Sequence, residues 1–182
     1  MKAAIAADEA LPAAAGEAMS MLGGEIDRID ARLAQIDAKL LARHKANDGV
    51  GPMSRMLAAV PGIGPIGALS LAVRADAAQF RSGRHFAAWL GLTPRDHSSG
   101  GKQRLGGITK AGNERLRQLL VLGATAVIRY AKPGRASAWL LALLERRPRK
   151  LAAVALANKM ARIVWAMMTR GEAYRPAAPA VA

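Results

Sequence analysis

The sequence predicts an all-α fold. An N-terminal coiled-coil helix is followed by a compact helical domain with a helix-hairpin-helix and a Gly-rich basic loop. Three observations carry that expectation. Met19, Leu22, Ile26, Ile29, Leu33, Ile36 and Leu40 recur at alternating spacings of 3 and 4 residues, the seam of a coiled coil. Later apolar segments also repeat at helical spacing, most clearly Leu116, Leu119, Leu120, Val127, Ile128 and then Val154, Ala157, Met160, Ile163, Val164, Met167. Strands are required at most as short pieces near the Gly-rich loop, because no segment calls for the period-2 alternation of a half-buried strand.

The bulk numbers narrow the class. A chain of 182 residues holds one domain with a real core plus an appendage. It has no cysteine, which excludes disulfides and Cys-type zinc sites. Net charge is +14 and uneven: residues 1–80 carry 8 Lys/Arg against 9 Asp/Glu, residues 81–182 carry 19 against 4. A basic half beside a balanced half points to a polyanionic partner. A soluble basic surface in an Ala- and Arg-rich protein accounts for the total but not for its concentration. Asp8 and Glu9 interrupt the apolar stretch after Lys2, so no secretory signal is expected. No run of about 20 apolar residues stands out, so no membrane partner is expected and the cytoplasm is the expected location.

In chain order, residues 1–18 are Ala-rich and expected to be poorly ordered. Residues 19–46 form the coiled-coil helix, with Glu25, Asp27, Arg28, Asp30, Arg32, Asp37 and Lys39 around the seam. Strict 3–4 alternation favours a coiled coil over an amphipathic helix packed on its own domain; the spacing does not separate a coiled coil within the chain from one between chains, and a homo-oligomer through this helix is the expectation. Asn47–Pro52 is a break. A domain over 53–176 follows, then a tail at 177–182. Within 56–73, Leu57 and Val60 precede Gly62-Ile63-Gly64, and Ala68 follows Gly64 by four residues. That is a helix-hairpin-helix pattern, in which Gly62 and Gly64 can offer amides to a phosphate at a helix N-terminus. Few cations lie there, so docking is its other role. A short helix is expected over His85–Leu90, ended by Gly91. Asn113 can N-cap a helix to about Tyr130. Lys132-Pro133-Gly134 breaks the chain before helices over Ser137–Glu145 and Leu151–Thr169, with a basic turn at Arg146–Lys150 between them and Gly171 after the second. Trp89, Trp139 and Trp165 lie on apolar faces and are expected in the core rather than as base-stacking platforms.

The stretch that packing alone does not explain is 97–113, HSSGGKQRLGGITKAGN. It holds two serines, five glycines, two lysines and an arginine. Glycines let backbone amides approach a phosphate, and Lys102, Arg104 and Lys110 supply counter-charge. Arg115 and Arg117 in the next helix's first turn oppose its dipole, which makes sense if an anion sits there. The expected nucleic-acid contacts are Ser98, Gly100, Gly101, Lys102, Arg104, Lys110, Arg115 and Arg117, with Gly62 and Gly64. Ser99 is the candidate reacting group, with Ser98 its neighbouring alternative.

Phosphoryl chemistry by two metals needs clustered carboxylates. After residue 80 only Asp96, Glu114, Glu145 and Glu172 are present, and they are dispersed, so no metal site is expected in this chain. Ser99, His97 and Asp96 are too close in sequence to aim at one another as a triad, and no G-x-S-x-G elbow occurs. Gly101-Lys102 lacks the upstream glycine and following hydroxyl of a Walker A loop. What remains is a serine attacking a phosphodiester in a positive loop, with no base of its own. A loop that only binds phosphate also stays open.

The segments VPGIGPIGALSLAV, FRSGRHFAAWLGLTPRDHSSGGKQRLGGITKAGNERLRQLL and VALANKMARIVWAMMTRGEAYRP together resemble the C-terminal serine-bearing transposase domain of the insertion-sequence 110/116/902 family. The resemblance covers about Met53–Pro176. It implies a DNA recombinase guided by a bridge RNA, with DNA and that RNA as partners. It also implies that Ser99, in the Ser99-Gly100 step, forms a covalent phosphoserine with DNA. The family joins this domain to an N-terminal RuvC-like domain bearing an acidic tetrad, and its composite site draws that domain from another subunit. Nothing in this sequence matches the RuvC-like domain. The expectation is therefore a shortened form that needs that domain, and its magnesium, in trans. A non-catalytic remnant that binds nucleic acid and oligomerises is the alternative.

Overall fold

The computed structural model describes residues 12–102 and 104–176. Seven α-helices and one two-stranded sheet form among them, a mostly α fold. The first helix, α1, spans Ala13–Lys45 and ends on Arg43, His44 and Lys45, cations that suit the negative end of its dipole. Six of its seam residues, Met19, Leu22, Ile26, Ile29, Leu33 and Ile36, are between 40% and 65% exposed. The helix begins earlier than the expected coiled coil, so residues 13–18 are helical rather than frayed. The rest of the expected disordered N-terminus and the 177–182 tail lie outside the described residues.

Residues 43–176 pack around a separate core. The Arg55 guanidinium donates to the carbonyls of His44 and Ala46 and to Asn47 Oδ1, and His44 Nδ1 shares a 2.8 Å hydrogen bond with the buried Ser54 hydroxyl. Helix α2 (Gly51–Ala58) starts with a proline in its first turn, and α3 (Pro65–Arg74) does the same after a turn through Gly62. A 3-10 turn at Ala77–Gln79 leads to α4 (Gly83–Trp89), capped by the Ser82 hydroxyl. Phe80, Phe86 and Trp89 pack together there, with ring centroids 5.2–5.7 Å apart.

Strands β1 (Pro94–Asp96) and β2 (Leu105–Ile108) pair antiparallel. Helix α5 (Glu114–Arg129) is capped by Asn113, whose side chain accepts from the Leu116 amide at 3.1 Å, as the sequence predicts. Ser137 caps α6 (Ala138–Arg146) in the same way. Helix α7 (Arg149–Arg170) ends at Gly171 in the left-handed conformation. The basic turn is thus shorter than expected, since Arg149 and Lys150 already belong to α7.

Helix α7 organises this unit and packs against α2, α4, α5, α6 and the 3-10 turn. It is long and apolar enough, by length and composition, to cross a membrane, contrary to the expectation that no such stretch occurs. Its buried face, which includes Ala157, Met160, Val164 and Met167, is instead the centre of the core. Phe86, Leu57, Leu71, Leu90, Leu92, Leu116 and Leu120 complete it, each fully buried and each worth about 1.5–3 kcal/mol of burial.

The three tryptophans divide. Trp89 and Trp165 are half-buried, and Trp165 Nε1 donates to the Ala77 carbonyl at 3.1 Å. Trp139 is 39% exposed, which corrects its expected place in the core.

Candidate nucleic-acid interface

The Gly-rich stretch is a β-hairpin, not an irregular loop. Gly100 and Gly101 have φ of 57° and 76°. Two successive positive φ values make the tight two-residue turn that suits the twist of an antiparallel pair. Ser99 and Lys102 face each other across it, and the Lys102 amide donates to the Ser99 carbonyl at 3.1 Å. Below the tip the His97 amide donates to the Arg104 carbonyl at 2.8 Å. Asp96 then pairs with Leu105 and Pro94 with Ile108, with an irregularity between the two pairs where Gly106 and Gly107 lie. A Cβ on Gly106 would come within 3.2 Å of the His97 ring.

The foot of the hairpin is clamped between the end of α4 and the start of α5. The Lys110 amide donates to the Gly91 carbonyl, and the Thr109 amide to the Thr93 carbonyl. Gly112, at φ 75°, lies so close to α4 that a Cβ there would be 1.7 Å from the Trp89 carbonyl oxygen. Asn158 of α7 donates to the Leu92 carbonyl at 3.1 Å. Lys110 itself takes φ 58°, the one left-handed non-glycine among the described residues.

The two serines differ in what holds them. The Ser98 amide donates to Asp96 Oδ1 at 2.9 Å, its hydroxyl donates to the same oxygen, and that hydroxyl accepts from the Arg104 amide at 3.1 Å. These bonds lock the approach to the turn. They also hold the Asp96 carboxyl below the usual carboxylate range. The Ser98 hydroxyl is the main cause and the Ser98 amide adds to it, with a smaller contribution from the charge of His97. No hydrogen bond to the exposed Ser99 hydroxyl forms among the described residues.

The expected contacts fall into three groups. Ser98, Ser99, Gly100, Gly101, Lys102, Arg104, Lys110 and Arg115 are all exposed on the hairpin or beside its foot. The ion pairs Arg28–Glu25 and Arg43–Asp48 both precede residue 49. Among the described residues, no later Lys or Arg has a carboxylate within 4 Å, so the hairpin cations are available to an anion. Arg117 is a correction. It is 8% exposed, and its Nη1 donates to the carbonyls of Leu90 and Ala111, each at 3.1 Å. It braces the foot of the hairpin from a buried position. Arg117→Met should strand both carbonyls, at a cost of about 1–3 kcal/mol. The expected readout is a lower melting temperature with faster hydrogen exchange at the Thr109 and Lys110 amides. Arg117→Lys, with one compact ammonium, should rescue only part of this.

Gly62 is also placed differently from the expectation. At φ 87° it packs on α5, where a Cβ would lie 2.7 Å from the Gly123 carbonyl oxygen. Its job is close packing. Gly64 is exposed at the start of α3, but the cavity there is lined by apolar residues and glycines, with no cation. Pro65, the first residue of α3, lacks an amide proton. Among the described residues no group of three or more His, Asp or Glu is placed to hold a metal ion.

Residues 54–139, which include the whole hairpin, match the Transposase IS116/IS110/IS902 family. A Sinorhizobium fredii protein named as a transposase, y4pF/y4sB, is 50% identical over 177 residues, 95% of this chain and 45% of its own length. A Pseudomonas aeruginosa protein named as a family 20 transposase is 50% identical, over 91% of this chain and 49% of its own length. The transposase for insertion sequence element IS1111A of Coxiella burnetii is 42% identical, over 86% and 43%. The chain spans about half the length of these relatives.

Proposed function

Because the chain carries a transposase domain of the IS116/IS110/IS902 family, we propose that its hairpin delivers Ser99 as the nucleophile of DNA strand exchange. In this reaction Ser99 Oγ attacks the phosphorus of a phosphodiester. An O–P bond forms to the serine, and the bond to one bridging sugar oxygen breaks. That oxygen leaves with the electron pair and takes up a proton, while the serine proton passes to a base outside the hairpin. Asp96 is a poor candidate for that base, since it is held ionised at low proton affinity. Lys102, Arg104, Lys110 and Arg115 bind the phosphates on either side, and the amides of Gly100 and Gly101 can approach the attacked one closely. Magnesium and its carboxylates belong to a RuvC-like domain of another subunit in this proposal. A bridge RNA selects the DNA, and the reaction takes place in the cytoplasm.

The observation that carries the reading is the contrast at the tip. Ser98 is fully engaged, whereas Ser99 sits exposed on a two-glycine turn with no partner for its hydroxyl among the described residues. The test is covalent trapping. The chain is mixed with a full-length family member whose own serine is changed to alanine, and with magnesium, guide RNA and donor DNA. A protein–DNA adduct on a denaturing gel that disappears in Ser99→Ala supports the proposal. Salt-dependent binding without any adduct supports the non-catalytic alternative.

Assembly through α1 is part of the same proposal. Its half-exposed seam runs over Met19–Ile36, and each seam side chain buried against a second copy contributes on the order of 1 kcal/mol. Light scattering should show an oligomer that Ile29→Asp with Leu33→Asp converts to monomer, leaving the melting of the 43–176 core unchanged. A wild-type monomer would refute the seam as a homo-oligomer interface.

A further inference from the structure

Helix α4 crosses α7 where a Cβ on Gly83 would lie 3.1 Å from the Arg162 Cα. Beside this crossing is a cavity of about 730 Å³, lined by Arg84 from α4, Trp139 from α6, and Asn158, Lys159, Arg162 and Trp165 from α7, among others. No carboxylate lines it. Arg84 and Arg162 are exposed, and neither has a carboxylate within 4 Å among the described residues. Lys159 Nζ stands 4.0 Å from the centroid of the Trp139 ring. Asn158 and Trp165 are already committed, to the carbonyls of Leu92 and Ala77. Three cations and an exposed indole from three helices thus line one cavity, with no carboxylate among its lining residues.

Packing does not call for this arrangement. Like charges drawn together repel and act against the fold unless an anion joins them. An indole that served only the core would be covered, yet Trp139 is 39% exposed. Cations that follow a backbone, interleaved with an aromatic face, are how proteins hold an unpaired nucleic-acid strand. A duplex fits less well, because its bases are stacked on one another and cannot turn to a ring set in a groove. Lys159 now covers one face of the ring. A phosphate that draws the flexible ammonium away frees that face for a base.

We infer that the groove of Arg84, Trp139, Lys159 and Arg162 seats an unpaired nucleic-acid strand, with its phosphates on the three cations and one base against the Trp139 ring. The inference deepens the proposed function, in that a nucleic acid is the partner, but it rests on different residues from the hairpin. Single-stranded DNA and single-stranded RNA share the chemistry, and the experiment separates them.

The test uses the full chain and fluorescent single-stranded oligonucleotides of about 12 nucleotides, one DNA and one RNA, with a duplex control. The double variant Arg84→Ala with Arg162→Ala should weaken strand binding about tenfold or more and flatten the salt dependence by between one and two units of slope. Trp139→Phe should keep most of the affinity, and Trp139→Ala should lose more. Wild-type tryptophan emission should change on binding, and Trp139→Phe should remove most of that change. Whichever oligonucleotide binds more tightly identifies the strand. All the groove variants should melt within a few degrees of the wild type, because the substituted groups are exposed; a larger fall would show them to be structural and overturn the inference. Unchanged affinity and slope in the double variant overturn it, as does an equal loss of duplex binding. Lys102→Gln with Arg104→Gln reports on the hairpin separately. Adduct loss there with unaltered strand binding in the groove variants leaves the proposed function standing and removes the groove.

Discussion

Ser99→Ala is expected to reduce the covalent protein–DNA adduct to background, a fall on the order of 10⁴-fold or more for removal of a nucleophile that nothing else replaces. DNA affinity should change by less than about twofold, since the lost hydroxyl makes no charged contact. Ser98→Ala separates positioning from reaction. It removes a hydroxyl that donates to Asp96 and accepts from the Arg104 amide, so the tip loses two of its bonds and the adduct should fall about tenfold, not vanish. The reverse pattern, abolition in Ser98→Ala with retention in Ser99→Ala, would move the nucleophile by one residue. The Asp96 carboxyl is held low by Ser98, so its contribution to hairpin order is present above the unfolded carboxylate pKa and lost as the pH falls through the folded one. Between pH 5 and pH 8 adduct formation should therefore show no step from Asp96.

What the sequence made legible, and what it did not, follows from the range of the interactions. Asn113, Ser137 and Gly171 punctuate helices by bonds made within four residues, and such signals survive in one dimension. The hairpin was half legible. Two adjacent glycines between Ser99 and Lys102 are a turn signal, but the flanks PRDHS and QRLGGI lack alternating apolar residues, so the pairing of Asp96 with Leu105 was hidden. Arg117 was misread because a cation in a helix's first turn looks like half of an anion site. One of its partners, the Leu90 carbonyl, is 27 residues away, and only the folded chain brings it within reach. Trp139 was misread because it is adjacent in sequence to the buried Leu140. One residue is about 100° of helix turn, enough to carry the indole from the core to the surface. The stretch that holds the hairpin cations has Asp96 and Glu114 as its nearest acids in sequence, yet among the described residues none of these cations has a carboxylate within 4 Å, a separation in space that sequence order alone does not give.

Gly123→Ala is expected to unfold the 43–176 core more readily, with the sign opposite to helix propensity. In an ordinary helix interior the change stabilises by about 1 kcal/mol. Here a Cβ on Gly123 would fall 1.9 Å from the Gly62 carbonyl oxygen and 2.8 Å from its carbonyl carbon, all of it backbone. Gly62 cannot turn aside, because its own φ of 87° already favours glycine and a Cβ on it would meet Gly123 in return. Helix α5 would have to move off the turn between α2 and α3, opening the packing around Leu120 and Leu71, both of which are buried. A cost of about 3 kcal/mol is expected for such overpacking, which at about 2–4 °C per kcal/mol lowers the melting temperature by roughly 6–12 °C. Gly24→Ala is the control, since nothing lies within 4 Å of a Cβ there, and it should leave the melting of the core unchanged. A melting temperature for Gly123→Ala at or above that of the wild type would mean that α5 and the turn are not held in backbone contact. The same contact bears on function. Helix α5 follows directly from the foot of the hairpin, and Arg117, one turn into it, holds the Leu90 and Ala111 carbonyls. Displacing α5 should therefore loosen the tip, and Gly123→Ala should lower adduct formation even below its melting temperature.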